Sequence, residues 1–158
     1  MEFRFIIIHT KMVKMVKVAV NRCYGGFGLS PKASKRYLEL NGKECHFYTH
    51  IKFKHSDGKE EYKKLTLEEV QDTGLFFSIT LKDLGDKIEK IPNDFYWYES
   101  FYDKKRADKI LIQVIEELGD DANGQCANIE IVEVPEDVEW EIDEYDGKES
   151  IHETHRSW

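Results

Sequence analysis

The chain has 158 residues and a mass of 18.7 kDa, is 41% hydrophobic and 34% charged, and contains only three prolines; this fits one ordinary domain and excludes a disordered or collagen-like polymer. Its net charge of −8 conceals a gradient, since residues 1–66 hold 14 Lys and Arg against 6 Asp and Glu, and residues 67–158 hold 9 against 25. No apolar run approaches the roughly 20 residues of a membrane helix, and the start has neither the apolar length nor the cleavage site of a signal peptide. Cys23, Cys45 and Cys126 form no CxxC pair, so reduced thiols, a cytoplasmic location and no metal or cofactor are expected.

Met12 and Met15 both serve as starts for a domain that begins with the strand pattern Lys17-Val18-Ala19-Val20-Asn21. Residues 1–14 therefore read as an N-terminal extension to a single domain over 15–158, and the alternative is an extra edge strand over Phe3 to Ile8. After Asn21 comes Arg22-Cys23-Tyr24-Gly25-Gly26-Phe27-Gly28-Leu29-Ser30-Pro31, a glycine-rich turn. It leads to a helix with Ser30 as N-cap and Pro31 as first residue. Ala33, Tyr37 and Leu40 share one face of that helix, which Asn41-Gly42 ends.

Cys45 to His55 alternates, placing Cys45, Phe47, Thr49, Ile51 and Phe53 on one side and His46, Tyr48, His50, Lys52 and Lys54 on the other. The pattern predicts a strand with a core face and a basic, aromatic face. Ser56-Asp57-Gly58-Lys59 predicts a hairpin turn returning through Glu61 to Leu65. Thr66 with Glu69 is a capping box for a short helix to Asp72, and Leu75 to Leu81 predicts a buried strand. Lys82 to Ser100 is irregular and holds Tyr96, Trp97 and Tyr98. Asp103 is expected to cap the strongest helix, whose stripe is Ala107, Ile110, Leu111, Val114, Ile115 and Leu118. The last third predicts strands over Ala127 to Val134 and around Trp140, with a turn at Tyr145-Asp146-Gly147-Lys148. The expected fold is α+β, one compact domain in which a mixed or antiparallel sheet packs with two main helices.

Several groups carry candidate chemistry. A strand, glycines and a helix N-terminus expose backbone N–H groups to an anion, so Arg22, Tyr24, Gly25, Gly26, Gly28 and Ser30 are candidate phosphate-binding residues. The loop lacks the third glycine of a dinucleotide fingerprint and the Gly-Lys-Ser/Thr of a P-loop, and a plain tight turn explains it as well. At the C-terminus, His155, Arg156 and Trp158 offer a guanidinium to clamp phosphate and an indole to stack, and Tyr96 offers a second stacking surface. Packing of these aromatics into the core or a dimer interface is the alternative. Cys23 beside Arg22, or His155, would be the catalytic residue if the chain were an enzyme. His46 and His50 lie too far apart along a strand to share a metal, and His152 and His155 have no cysteine partner. Residues 116–153 hold 15 carboxylates and one lysine, which repels nucleic acid directly but imitates it to a basic protein.

The run Asn21-Arg22-Cys23-Tyr24-Gly25-Gly26-Phe27-Gly28-Leu29-Ser30, the segment Asp108 to Gly119, and the ending Val138-Glu139-Trp140-Glu141-Ile142-Asp143-Glu144-Tyr145-Asp146-Gly147 to His155-Arg156-Ser157-Trp158 resemble a family of small accessory proteins of tailed phages and prophages. The resemblance runs from Met15 onward and implies a phage context, with no reaction and no catalytic residue attached. By analogy with counter-defence proteins, it implies a homo-oligomer in the host cytosol that sequesters a small anionic, nucleotide-like ligand without turnover. The alternatives are an acidic inhibitor that binds a host nucleic-acid-handling or defence enzyme, and a small enzyme that modifies a nucleotide or protein through Cys23 or His155.

Overall fold

The computed structural model describes residues 3–8, 11–52, 58–73 and 76–154. In chain order the strands and helices are β1 (Phe5–Ile8), β2 (Lys11–Asn21), α1 (Pro31–Leu40), β3 (His46–Lys52), β4 (Glu61–Leu65), α2 (Leu67–Thr73), β5 (Ser78–Thr80), β6 (Lys87–Ile88), β7 (Tyr96–Trp97), α3 (Lys109–Leu118), β8 (Ile129–Pro135), β9 (Trp140–Tyr145) and β10 (Lys148–Glu153). The fold is α+β with antiparallel pairing throughout. The chain divides into two compact units, one made of residues 1–29 and 101–158 and the other of residues 30–100. No helix among the described residues is long and apolar enough to cross a membrane.

In the first unit, β2 is the middle strand of a three-stranded sheet ordered β1-β2-β8, and β9 pairs with β10 in a separate hairpin. β2 runs through Lys11 and Met15 without a break, and Phe5 to Ile8 pairs with Lys14 to Lys11. Phe5–Ile8 is thus an edge strand of this unit's sheet. Val18, Ala19 and Val20 are all fully buried, so both faces of β2 are covered. Val18 and Val20 form a core with Trp140, and Val16, Ala107, Val132, Val134, Ile142 and Ile151 pack around it. Each such aliphatic side chain contributes about 1.5–3 kcal/mol on full burial.

The predicted helix stripe forms α3 from Ile110 onward, with Ala107 left in the preceding 3-10 turn, and the helix buries Leu111, Ile112, Val114 and Ile115. Its cap differs from the expectation. Asp108, not Asp103, accepts hydrogen bonds from the N–H groups of Ile110 (2.8 Å) and Leu111 (3.0 Å). Residues 103–107 form a separate 3-10 turn ending at an extended Asp108, and the helix begins only where that extended residue can turn its carboxylate back over the first free N–H groups.

In the second unit the sheet is ordered β6-β4-β3-β5-β7. Its core is Leu38, Phe47, Leu65, Val70 and Ile79, with Trp97 packed against them. The predicted signals at helix ends form as read: Ser30 Oγ accepts from Ala33 N–H (3.1 Å) with Pro31 at the first turn. Thr66 Oγ1 accepts from Glu69 N–H (3.2 Å) while Glu69 accepts from Thr66 N–H (2.8 Å). Of the turn at 56–59 only Gly58 and Lys59 fall among the described residues, as Phe53, Lys54 and Leu75 do not.

Two readings of this unit change. Tyr48, expected on an open face, is fully buried while Ile51, expected inside, is half exposed. β3 lies between β4 and β5, and residues 83–85 meet the Tyr48 hydroxyl. This hydroxyl donates to Gly85 O (2.9 Å) and accepts from Leu84 N–H (2.9 Å). The strand expected over Leu75 to Leu81 is confined to Ser78–Thr80, and Phe76 is exposed.

Candidate binding cleft

The site is built in the first unit where β2 ends. Asn21 is fully buried, and its side chain serves three segments at once. Nδ2 donates to Cys23 O and to Gly147 O, each at 2.7 Å, and Oδ1 accepts from Asn128 N–H (2.9 Å) and Cys23 N–H (3.3 Å). The amide thereby ties the glycine loop, the start of β8 and the β9–β10 turn together without leaving a polar atom stranded.

That turn is the predicted Asp-Gly hairpin, with Asp146 at φ 50° and Gly147 at φ 85°, the left-handed pair that matches strand twist in a two-residue connection. Gly25 donates to Asp146 O (3.0 Å). A Cβ on Gly147 would lie 2.0 Å from Gly26 N, and one on Gly25 would lie 2.6 Å from Cys126 Cβ. The glycine loop and the hairpin turn meet backbone to backbone, which only glycine permits.

Below the loop lies an ion pair that the sequence did not advertise. Arg106 donates through both terminal nitrogens to Glu149, at 2.7 and 2.6 Å, and both side chains are buried. Arg106 also donates to Phe101 O and to Ala19 O (3.2 Å), and its guanidinium carbon lies 3.7 Å from the Phe27 ring centroid. Glu149 further accepts from Asn21 N–H (2.8 Å). The paired fork, the extra acceptors and the stacked ring are what make such a pair sustainable away from water.

Over this floor opens a cleft of about 500 Å³, lined by Gly25, Gly26 and Phe27 of the loop, Tyr102, Asp103 and Arg106 of the 3-10 turn, and Ile142, Glu144, Asp146, Gly147 and Glu149 of the hairpin. Its lining carries four carboxylates and one guanidinium, which is already spent on Glu149. Asp103, at φ 49°, and Asp146 both hold left-handed backbones here. The N–H groups of Gly26 and Phe27 have no partner among the described residues.

Of the residues read from the sequence, Gly25 and Gly26 line the cleft. Gly28 instead accepts a bond from Gly124 N–H (2.7 Å). Arg22 spends its guanidinium on Glu130 (3.1 Å) and Glu149 O (3.2 Å), and Tyr24 is exposed with Lys148 over its ring. Ser30 and Tyr96 belong to the second unit. There Ser30 caps α1, and Tyr96 stacks on Tyr98 with ring centroids 5.6 Å apart. Burial and a hydrogen bond with Tyr62 push the Tyr96 phenol up to about 12. His155, Arg156 and Trp158 lie outside the described residues.

Cys23 is exposed, and no histidine among the described residues lines the cleft. His152 sits against Glu141 (2.9 Å) and Asp143 (3.4 Å), and among the described residues no cluster of three or more His, Cys, Asp or Glu is arranged to hold a metal. Arg106, Glu149 and Glu144 were not singled out by the sequence, and Asp103 was read from it only as a helix cap. Only the Asp146-Gly147 turn carried a signal, because turn chemistry is local whereas the pairing of Arg106 with Glu149 spans 43 positions. Compared with protein-family models, curated proteins and solved structures, the chain matches none.

Proposed function

We propose that the chain is a binding protein whose acidic cleft takes a cationic group from a basic protein. In the phage context implied by the resemblance, the partner is a host enzyme that handles nucleic acid, and the chain acts as its inhibitor. One observation carries this reading: beside the buried Arg106–Glu149 pair, whose charges offset each other, three further carboxylates, Asp103, Glu144 and Asp146, line the cleft. An ammonium or guanidinium entering beside Asp103, Asp146 and the exposed Tyr102 ring gains charge-assisted hydrogen bonds and a cation–π contact. The carboxylate-rich strands β8 to β10 extend the same charge outward.

Fluorescence anisotropy with a labelled nona-arginine peptide tests this directly. Binding is expected at physiological salt, falling as salt rises, and Asp103→Asn with Asp146→Asn is expected to weaken it about tenfold, a loss of about 1.4 kcal/mol. Asparagine also tolerates the left-handed backbone at both positions. Peptide binding that these substitutions leave unchanged would overturn the cleft reading.

A second reading, sequestration of a phosphorylated nucleotide-like ligand, draws support from the N–H groups of Gly26 and Phe27, which have no partner among the described residues. It requires ADP-ribose or a cyclic nucleotide at 100 times its dissociation constant to stabilise the fold by about 2.7 kcal/mol. A thermal shift of that size, with no peptide binding, would select this reading over the first.

A further inference from the structure

Among the described residues β1 is hydrogen-bonded on one side only, to β2, and so presents a row of backbone donors and acceptors along its outer edge. An open edge is a template for another strand, and folded proteins normally guard it with charge, proline or a bulge. β8, at the opposite edge of the same sheet, is guarded in this way. It carries Glu130 and Glu133 and ends in Pro135.

β1 has none of these guards. It reads Phe-Ile-Ile-Ile, and Phe3, Phe5 and Ile6 are 51%, 51% and 38% exposed. Arg4, the one charged residue of 3–8, is already held by Glu133 at 3.3 Å. Antiparallel pairing of two such strands about their centre sets Phe5 opposite Ile8 and Ile6 opposite Ile7, apolar against apolar. A shift of one residue either way keeps Arg4 off its own copy. Aromatic and β-branched cross-strand pairs are the favourable ones. The edge is therefore complementary to itself, whereas a foreign strand would have to bring a matching apolar run.

We infer that the outer edge of β1 pairs antiparallel with the same edge of a second copy of this chain, joining two three-stranded sheets into one continuous sheet across a two-fold axis. The inference concerns the first unit alone and holds whatever the cleft binds.

Sedimentation velocity of the full chain over about 1–200 µM, the range in which weak homodimers dissociate, reads the outcome. A species of twice the 18.7 kDa chain mass is expected, increasing with concentration. Ile6→Lys puts a charge on each edge and is expected to raise the dissociation constant about tenfold or more, with the circular dichroism spectrum unchanged. Added salt is expected to strengthen the dimer, because copies of net charge −8 repel less when screened.

Hydrogen exchange on the unaltered chain gives a reading that does not depend on how the variant folds. Amides of Phe5–Ile8 are expected to exchange more slowly at high protein concentration. A chain that stays monomeric throughout would overturn the inference, as would a dimer that Ile6→Lys leaves intact or one that salt dissociates.

Discussion

Arg106 and Glu149 show how much depends on two side chains. Removing one partner strands a charge that is buried and stripped of water, so Glu149→Gln or Arg106→Met is expected to cost about 3–5 kcal/mol in denaturant unfolding. The double replacement by apolar residues is expected to cost less than the two single losses together. Gly147→Ala drives a Cβ into Gly26 N at a positive φ and should cost at least about 1 kcal/mol. Gly28→Ala meets nothing within 4 Å and should be nearly neutral.

Asp83 carries a pH dependence. Hydrogen bonds from Lys64 and then from Gly85 N–H hold its carboxyl down at about 2. A carboxyl lowered in the folded state stabilises it above the ordinary value near 3.9, and that contribution disappears as pH falls through about 2. Exchange of the Leu84 and Gly85 amides should accelerate across this window, and Asp83→Asn should remove the dependence. Burial pushes the Cys45 thiol up to about 12, and Cys23 and Cys126 are exposed. A thiol reagent at pH 8 should therefore modify Cys45 last.

At the scale of elements, α3 separates two aspartates that look alike in sequence. Asp108 bonds the first free N–H groups of the helix, so Asp108→Ala should lower stability by about 1 kcal/mol. Asp103 makes no cap and sits at φ 49°, so Asp103→Gly should be neutral or stabilising, since glycine holds a left-handed backbone without strain. Thermal unfolding of the two variants distinguishes them. The capping box of α2, the Ser30-Pro31 start of α1 and the Asp146-Gly147 turn were all legible in sequence because donor, acceptor and backbone angle lie within four residues of one another. Asp103 misled because a five-residue 3-10 turn precedes α3. An aspartate ahead of an apolar stripe looks the same whether the helix starts at once or a turn later.

Across the whole molecule, the core cluster described in residues 30–100, Leu38, Phe47, Leu65, Val70 and Ile79, comes from that segment itself. Residues 30–100 expressed alone should therefore give dispersed amide resonances and a cooperative melt. The remainder is assembled from both ends of the chain, and Asn21 must find Gly147 and Asn128 across more than a hundred positions. Neither composition nor periodicity marks that division.

The amino-acid sequence by itself determined the α+β class, the Asp146-Gly147 hairpin turn, the helix caps set by Ser30 and Thr66, and the charge gradient, since each follows from residues close together in the chain or from simple sums over it. Tertiary structure decided what the gradient means at the glycine loop. The loop looked ready for an anion because its glycines and a helix N-terminus offer backbone N–H groups, with Arg22 adding charge beside them. In the folded unit Arg22 turns to Glu130, Arg106 arrives to meet Glu149, and Asp103, Glu144 and Asp146 gather over the opening. Charge acts through space, and a potential that sums over neighbours cannot be read until folding has chosen which neighbours they are.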